Sequence, residues 1–319
     1  MRIVFGTKIS RAPVLKALEE IDGIELVALD DLDQVAPLVG EADALIISDP
    51  RGADGKAIAD ELRKPGCRVR WIQFLSAGYQ GLSAHGIPDR IAITNQGGAV
   101  APAVADHAMA LILAMARQLK VLQERCERHE WNKTFDILPM SLEGRVLVII
   151  GFGNLGRQLA KRARGFDMKV VGVTRSPAPN PLADEMHPMS AMHEQLGRAD
   201  VVALCIAATN ATRHIIDARA FDAMKEKALF INVTRGETVD QDALRKALVD
   251  GHLASAAVDV TDPEPLPRDD PLWSAPNILI TPHMSGAGGT GTGKRIVGVV
   301  RENVERFKSG RELVHLVKP

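Results

Sequence analysis

Val146-Leu-Val-Ile-Ile-Gly-Phe-Gly-Asn-Leu-Gly156 decides the fold of this chain. Its apolar start, residues 146–150, predicts a strand buried on both faces, as in a parallel sheet. The next six residues spell GxGxxG. A helical pattern follows, with Leu155, Leu159, Ala163 and Phe166 on one face. Gly151 permits a tight turn, Gly153 lets backbone approach a pyrophosphate, and Gly156 lets helix and strand pack closely. The helix start would offer the backbone N–H groups of Asn154 and Leu155 to that pyrophosphate, helped by the helix dipole. Glycines punctuate many turns, so the motif is weak alone. The strand–loop–helix context is what gives it force, with a purely structural turn as the alternative.

Downstream, apolar runs predict strands at residues 169–173, 200–206, 229–233, 254–260 and 278–281. With 146–150 they make a complete six-stranded Rossmann sheet. The proline-rich stretch 176–188 reads as a loop. Upstream, residues 102–128 read as one long helix with Val104, Ala108, Leu111, Ile112, Met115 and Leu119 on its apolar face. Pro102 suits its first turn. The first hundred residues predict strands at 2–5, 25–29, 44–48, 70–75 and 91–94, with helices near 12–20 and 56–63. That is a second doubly wound unit, without a phosphate loop. Residues 293–307 read as a last helix.

The chain has 319 residues, which suggests about two domains. Hydrophobic residues make up 46%, charged residues 25% and the formal net charge is -1, an ordinary globular balance. No long basic run supports a nucleic-acid or anionic-membrane partner. Cys67, Cys126 and Cys205 are scattered, with neither disulfide nor zinc spacing, and no metal is expected. The start MRIVFG lacks the charged and apolar regions of a signal peptide, and no apolar run reaches the ~18 residues of a membrane span. A cytoplasmic setting is the expectation.

The residues after the second strand of the Rossmann unit bear on the cofactor. A carboxylate about 20 residues beyond the glycines usually holds the ribose 2′-OH of NAD. Here stand Thr174, Arg175 and Ser176. An arginine with two hydroxyls suits a 2′-phosphate through charge-assisted hydrogen bonds, which favours NADP(H) over NAD(H). The alternative is a solvated Arg175 and a site that takes both cofactors.

Ligands in open α/β sheets bind beyond the carboxyl ends of the strands. Arg235 follows strand 229–233, Glu264 follows 254–260 and His283 follows 278–281. Singly, each has a bland explanation: a solvated arginine, a turn glutamate between prolines, a structural histidine. Together they suit hydride transfer to a 2-oxo acid. An arginine can hold the carboxylate and polarise the carbonyl. A histidine can give the proton that the reduced oxygen needs, and a glutamate can orient the ring and stabilise the imidazolium.

These residues sit in ordered motifs: SAGYQGL at 76–82, TNQGGAVAPAVADHAMALILAMAR at 94–117, GFGNLG, NVTRGETVD at 232–240, DVTDPEPLP from Asp259, and TPHMSG from Thr281. In them the chain resembles the D-isomer-specific 2-hydroxyacid dehydrogenases, most of all the NADPH-dependent glyoxylate/hydroxypyruvate reductase branch. The resemblance runs from about Leu75 to the C-terminus. It implies two doubly wound parallel-sheet α/β domains with a cleft between them. A flavodoxin-like substrate domain would comprise residues 1–98 plus 287–319, and a Rossmann nucleotide-binding domain 99–286. It implies that Arg235 binds substrate, that His283 is general acid in reduction, and that Glu264 pairs with His283. Amides of Ala77 and Gly78 would hold the substrate carboxylate. Asp259 would meet the nicotinamide carboxamide and Val104 the nicotinamide face, with Ala207, Thr212 and Val233 also lining the cofactor. A homodimer built around the nucleotide domains is implied too.

Some positions depart from the family. Asp106 stands where glutamate is usual, and Ala207 and Asn210 where prolines are common, which puts the adenosine side in question rather than the chemistry. Formate dehydrogenases of this superfamily pair the histidine with glutamine, and phosphite dehydrogenases carry a lysine in the substrate loop. Glu264 and the lysine-free SAGYQGL loop point away from both. A phosphoglycerate enzyme usually adds a regulatory domain. A non-enzymatic sensor or corepressor on the same fold could keep the whole trio, and turnover would separate it from an enzyme.

Overall fold

The computed structural model describes residues 1–317. The chain divides into two compact units, Met1–Val100 with Gly289–Pro319, and Ala101–Gly288.

In the first unit, strands β1 (Arg2–Gly6), β2 (Glu25–Leu29), β3 (Ala44–Ile47), β4 (Trp71–Phe74) and β5 (Ala92–Thr94) form one sheet. Its order is β2-β1-β3-β4-β5 and every pairing is parallel, the flavodoxin-like arrangement. Helices α1 (Arg11–Glu19), α2 (Gly52–Arg63) and α3 (Gln80–Ser83) lie between strands. Successive strand side chains alternate faces. Val4, Leu45 and Ile72 therefore pack with Ile58, Ala59 and Leu62 of α2 on one side. Ile3, Phe5 and Ile46 pack on the other with Val14 and Leu18 of α1.

That second face also receives the C-terminal helix, Thr290–Lys308, through Ile296, Val300 and Val304. Its buried Asn303 is fully satisfied. It donates to Gln73 Oε1 and to the Val314 carbonyl, both at 3.0 Å, and accepts the Val314 amide at 2.8 Å. A buried polar group needs such partners. The last helix thus belongs to the first sheet, far away in sequence.

In the second unit, α4 (Ala101–Ala116) and α5 (Leu119–Glu127) precede the sheet. Its strands are β6 (Val146–Ile150), β7 (Lys169–Thr174), β8 (Glu185–Pro188), β9 (Val201–Leu204), β10 (Leu229–Asn232), β11 (Ser255–Val258) and β12 (Ile278–Ile280). Helices α6 (Asn154–Arg164), α7 (Met192–Leu196), α8 (Ala218–Asp222) and α9 (Gln241–Val249) connect them. The order is β12-β11-β10-β9-β6-β7-β8, parallel throughout. The chain crosses over between β6 and β9, and such a switch point opens a crevice at the carboxyl ends of the strands.

Three sequence expectations fail here, the first being Phe166, which lies beyond α6 and is exposed rather than on its buried face. The single helix over 102–128 is two helices, because Gln118 takes a left-handed conformation with φ 56. Apolar spacing continues through Leu119 and Leu122, but both are exposed, and α5 has no buried residue. The proline-rich stretch 176–188 is not all loop, since residues 185–188 add an edge strand beside β7. Proline is tolerated there because Pro188 sits at the end of an edge strand. Glu185 in this strand is held by Arg198 at 2.7 Å and His187 at 2.9 Å, which bring its carboxyl down to about 2.

No helix among the described residues is long and apolar enough to cross a membrane, and no cluster of potential metal ligands occurs among them.

Candidate active site

The glycine loop joins β6 to α6, with Gly153 as the helix cap. Gly151 has φ 95, and a Cβ there would lie 2.5 Å from the Cys205 carbonyl oxygen. A Cβ on Gly156 would lie 2.2 Å from the Gly151 oxygen. Packing alone demands these two glycines. Gly153 differs, since a Cβ there would meet nothing within 4 Å. It borders open space at the start of an eleven-residue helix, which fits the close approach of a dinucleotide pyrophosphate. Burial pushes the neighbouring Cys205 thiol up, so it stays protonated and unreactive.

Thr174 ends β7, and Arg175 and Ser176 follow it into solvent. Arg175 makes no hydrogen bond or ion pair among the described residues. On the next crossover, the Thr212 hydroxyl donates to the Ala207 carbonyl and accepts the Thr209 amide, each at 2.8 Å. This polar cap stiffens a loop that lacks the family's prolines. Val233 is buried at the end of β10, and Val104 is buried on α4. Asp106 pairs with Arg162 at 2.5 Å and so links α4 to α6.

Arg235 extends from the β10 loop. Buried Asn232 pins that loop, donating to the Arg235 carbonyl at 2.8 Å and accepting the Thr234 amide at 3.0 Å. The Arg235 Nη1 donates to the Thr234 carbonyl at 2.6 Å. A Cβ on Gly236 would fall 2.1 Å from the Thr261 carbonyl. Glycine therefore lets the arginine loop lie against the segment that leads to Glu264.

Glu264 and His283 meet across two loops. The His283 Nδ1 is 2.9 Å from both carboxylate oxygens of Glu264. His283 has φ 49, and its amide donates to the Asp259 carbonyl at 2.8 Å. Asp259 is 1% exposed, and its carboxylate accepts hydrogen bonds from Thr281, Met284 and Ser285. Its place in this turn, and the participation of Thr281 and Asn232, escape sequence reading. A buried polar residue just past a strand is a signal too weak to single them out.

In the first unit the SAGYQGL loop follows β4. Ser76 Oγ donates to the Gly78 carbonyl at 2.8 Å and accepts the Asp49 amide at 3.0 Å. The Asp49 carboxylate accepts the Gly81 and Leu82 amides at 2.8 and 3.0 Å. This bracing leaves the Ala77 and Gly78 amides with no hydrogen bond among the described residues.

A Rossmann sheet with an open glycine loop, and a histidine–carboxylate pair and an arginine at its strand ends, defines a nicotinamide-dependent dehydrogenase. Comparison with known proteins gives the family. A profile described as "D-isomer specific 2-hydroxyacid dehydrogenase, NAD binding domain" matches residues 109–285. A glyoxylate reductase from Korarchaeum cryptofilum (strain OPF8) is 32% identical over 88% of this chain and 83% of its own. A D-3-phosphoglycerate dehydrogenase from Methanocaldococcus jannaschii is 28% identical over 93% of this chain but only 55% of its own. The crystal structure of a D-isomer specific 2-hydroxyacid dehydrogenase family protein from Aeromonas salmonicida superposes with a TM-score of 0.87 at 27% identity, covering 99% of this chain and 98% of the other. The chain belongs to the D-isomer specific 2-hydroxyacid dehydrogenase family, and it is an NAD(P)-dependent dehydrogenase.

Proposed function

We propose that this enzyme reduces a small 2-oxo acid, such as glyoxylate or hydroxypyruvate, to the 2-hydroxy acid, of D configuration where that carbon is a stereocentre, with NADPH preferred over NADH. The observation that carries the reading is the His283–Glu264 pair at 2.9 Å, one loop away from Arg235. The bound nicotinamide supplies the hydride. Arg235 holds the substrate carboxylate and draws electron density from the carbonyl oxygen. As that oxygen becomes negative, His283 gives it a proton from Nε2, because Nδ1 is engaged by Glu264. Glu264 orients the ring and balances its positive charge before transfer. The neutral imidazole then regains a proton from water.

The free amides of Ala77 and Gly78 are assigned to the substrate carboxylate, which makes the first unit the substrate-binding one. Asn154 and Leu155 amides are assigned to the pyrophosphate. Thr174, Arg175 and Ser176 are assigned to a ribose 2′-phosphate, supported by the lack of a carboxylate and the unengaged guanidinium. Asp259, Val104, Ala207, Thr212 and Val233 complete the cofactor contacts on the family pattern. The likeness to glyoxylate reductase favours small substrates.

A homodimer is part of the same reading. Trp131 is 94% exposed, Leu138 77%, and both follow a helix with no buried residue. Large apolar side chains this exposed are candidates for burial in an interface.

Chiral chromatography of the product made from hydroxypyruvate tests the reaction. D-Glycerate supports it, and L-glycerate contradicts it.

A further inference from the structure

The turn that carries His283 is held from inside the second unit. The Asp259 Oδ1 accepts the Thr281 hydroxyl at 2.6 Å and the Met284 amide at 3.0 Å, and Oδ2 accepts the Ser285 amide at 2.9 Å. Such restraint is needed. His283 sits at φ 49, a conformation that a non-glycine residue keeps only when its surroundings impose it.

A side chain from a distant helix completes the arrangement. His107 of α4 places Nε2 3.0 Å from Thr281 Oγ1 and 3.6 Å from Asp259 Oδ1. Thr281 has one hydroxyl hydrogen, and it goes to the Asp259 carboxylate, which only accepts. The hydroxyl must therefore accept from His107, so Nε2 carries a hydrogen. The neutral Nε2–H tautomer and the imidazolium both satisfy this, and the neutral Nδ1–H tautomer does not. The His107 side chain is 19% exposed and that of Asp259 fully buried, so water competes poorly for these bonds.

We propose that His107 is a positioning residue for the proton donor. It fixes the Thr281 hydroxyl toward Asp259, and through Asp259 it locks the turn that aims the His283 ring. The inference rests on the assignment of His283 as proton donor. Small displacements of a reacting group are costly, about 100-fold in rate for about 1 Å. Partial loosening of this turn should therefore act on turnover more than on binding.

The test compares His107→Leu, His107→Gln, Thr281→Val and the double variant His107→Leu/Thr281→Val. Glutamine carries an N–H at similar reach, whereas leucine carries none. His107→Leu should lower kcat about tenfold, with the KM for the 2-oxo acid within about twofold of wild type. His107→Gln should recover most of the loss, and the double variant should be no worse than Thr281→Val alone. Wild-type kcat in His107→Leu, or losses that multiply in the double variant, would overturn the proposal. A second readout needs no substrate. Amide hydrogen exchange at Met284 and Ser285 should be about tenfold faster in His107→Leu, and unchanged exchange would also overturn it. If the wild type turns over no 2-oxo acid, the functional reading fails, while the exchange data still judge the turn.

Discussion

The Nδ1 of His283 stands 2.9 Å from each carboxylate oxygen of Glu264, so the ring is held by one nitrogen and offers the other. That geometry suits a group that passes a single proton in a fixed direction. His283→Ala should cut kcat by about 10²–10⁴, the usual worth of a positioned acid–base group. Glu264→Gln keeps the shape but removes the charge, and it should cost less than the alanine variant. Steady-state kinetics with saturating cofactor checks both. Near-normal turnover in His283→Ala would remove this residue from the chemistry.

Arg175 lies beyond β7, in solvent, with no carboxylate among its immediate neighbours. Its loss should remove a charge-assisted bond to a 2′-phosphate and nothing from NADH. Arg175→Ala is expected to raise the KM for NADPH by about 10- to 100-fold, the equivalent of roughly 1.5–3 kcal/mol, and to leave the KM for NADH nearly unchanged. Equal effects on the two cofactors would contradict the assignment.

Asp200, buried at the start of β9, predicts an acid limit to stability. Burial raises its pKa, but Lys225 at 2.7 Å, the Val146 amide at 2.9 Å and Arg145 at 3.3 Å outweigh burial and hold it below the ordinary 3.8. A carboxyl with a lowered folded pKa stabilises the fold above its unfolded value, and this is lost as pH falls through the folded one. Asp200→Asn should cost about 1–3 kcal/mol at neutral pH. Its deficit should shrink below pH 3.8. Urea melts across that range would show it, and a deficit independent of pH would mean that the charge is not responsible.

Trp131 is 94% exposed in the single chain. Buried aromatic anchors dominate many interfaces. Trp131→Glu should shift the sedimenting species from dimer toward monomer. A wild-type protein that sediments as a monomer at micromolar concentration would refute the dimer.

Local signals made much of this molecule legible. The run Val146–Ile150 and the glycines after it gave strand, turn and helix start because each reflects a local constraint: burial on two faces, a positive φ, a close approach. Arg235, Glu264 and His283 were visible because each follows an apolar run, where strand ends gather ligands. What stayed hidden depends on distant partners. The break at Gln118 was masked by the apolar Leu119 and Leu122, which continue the helical spacing yet face solvent. Strand β8 was masked by Pro188, which an edge position tolerates. His107 and Thr281 lie 174 residues apart, and only the folded sheet brings them together.

The most direct test is the initial rate of NADPH and NADH oxidation, at matched concentrations, with glyoxylate, hydroxypyruvate, pyruvate and phenylpyruvate. Fast NADPH-linked turnover of glyoxylate or hydroxypyruvate is the predicted result. Tight NADPH binding without turnover of any of the four would contradict the proposed reaction.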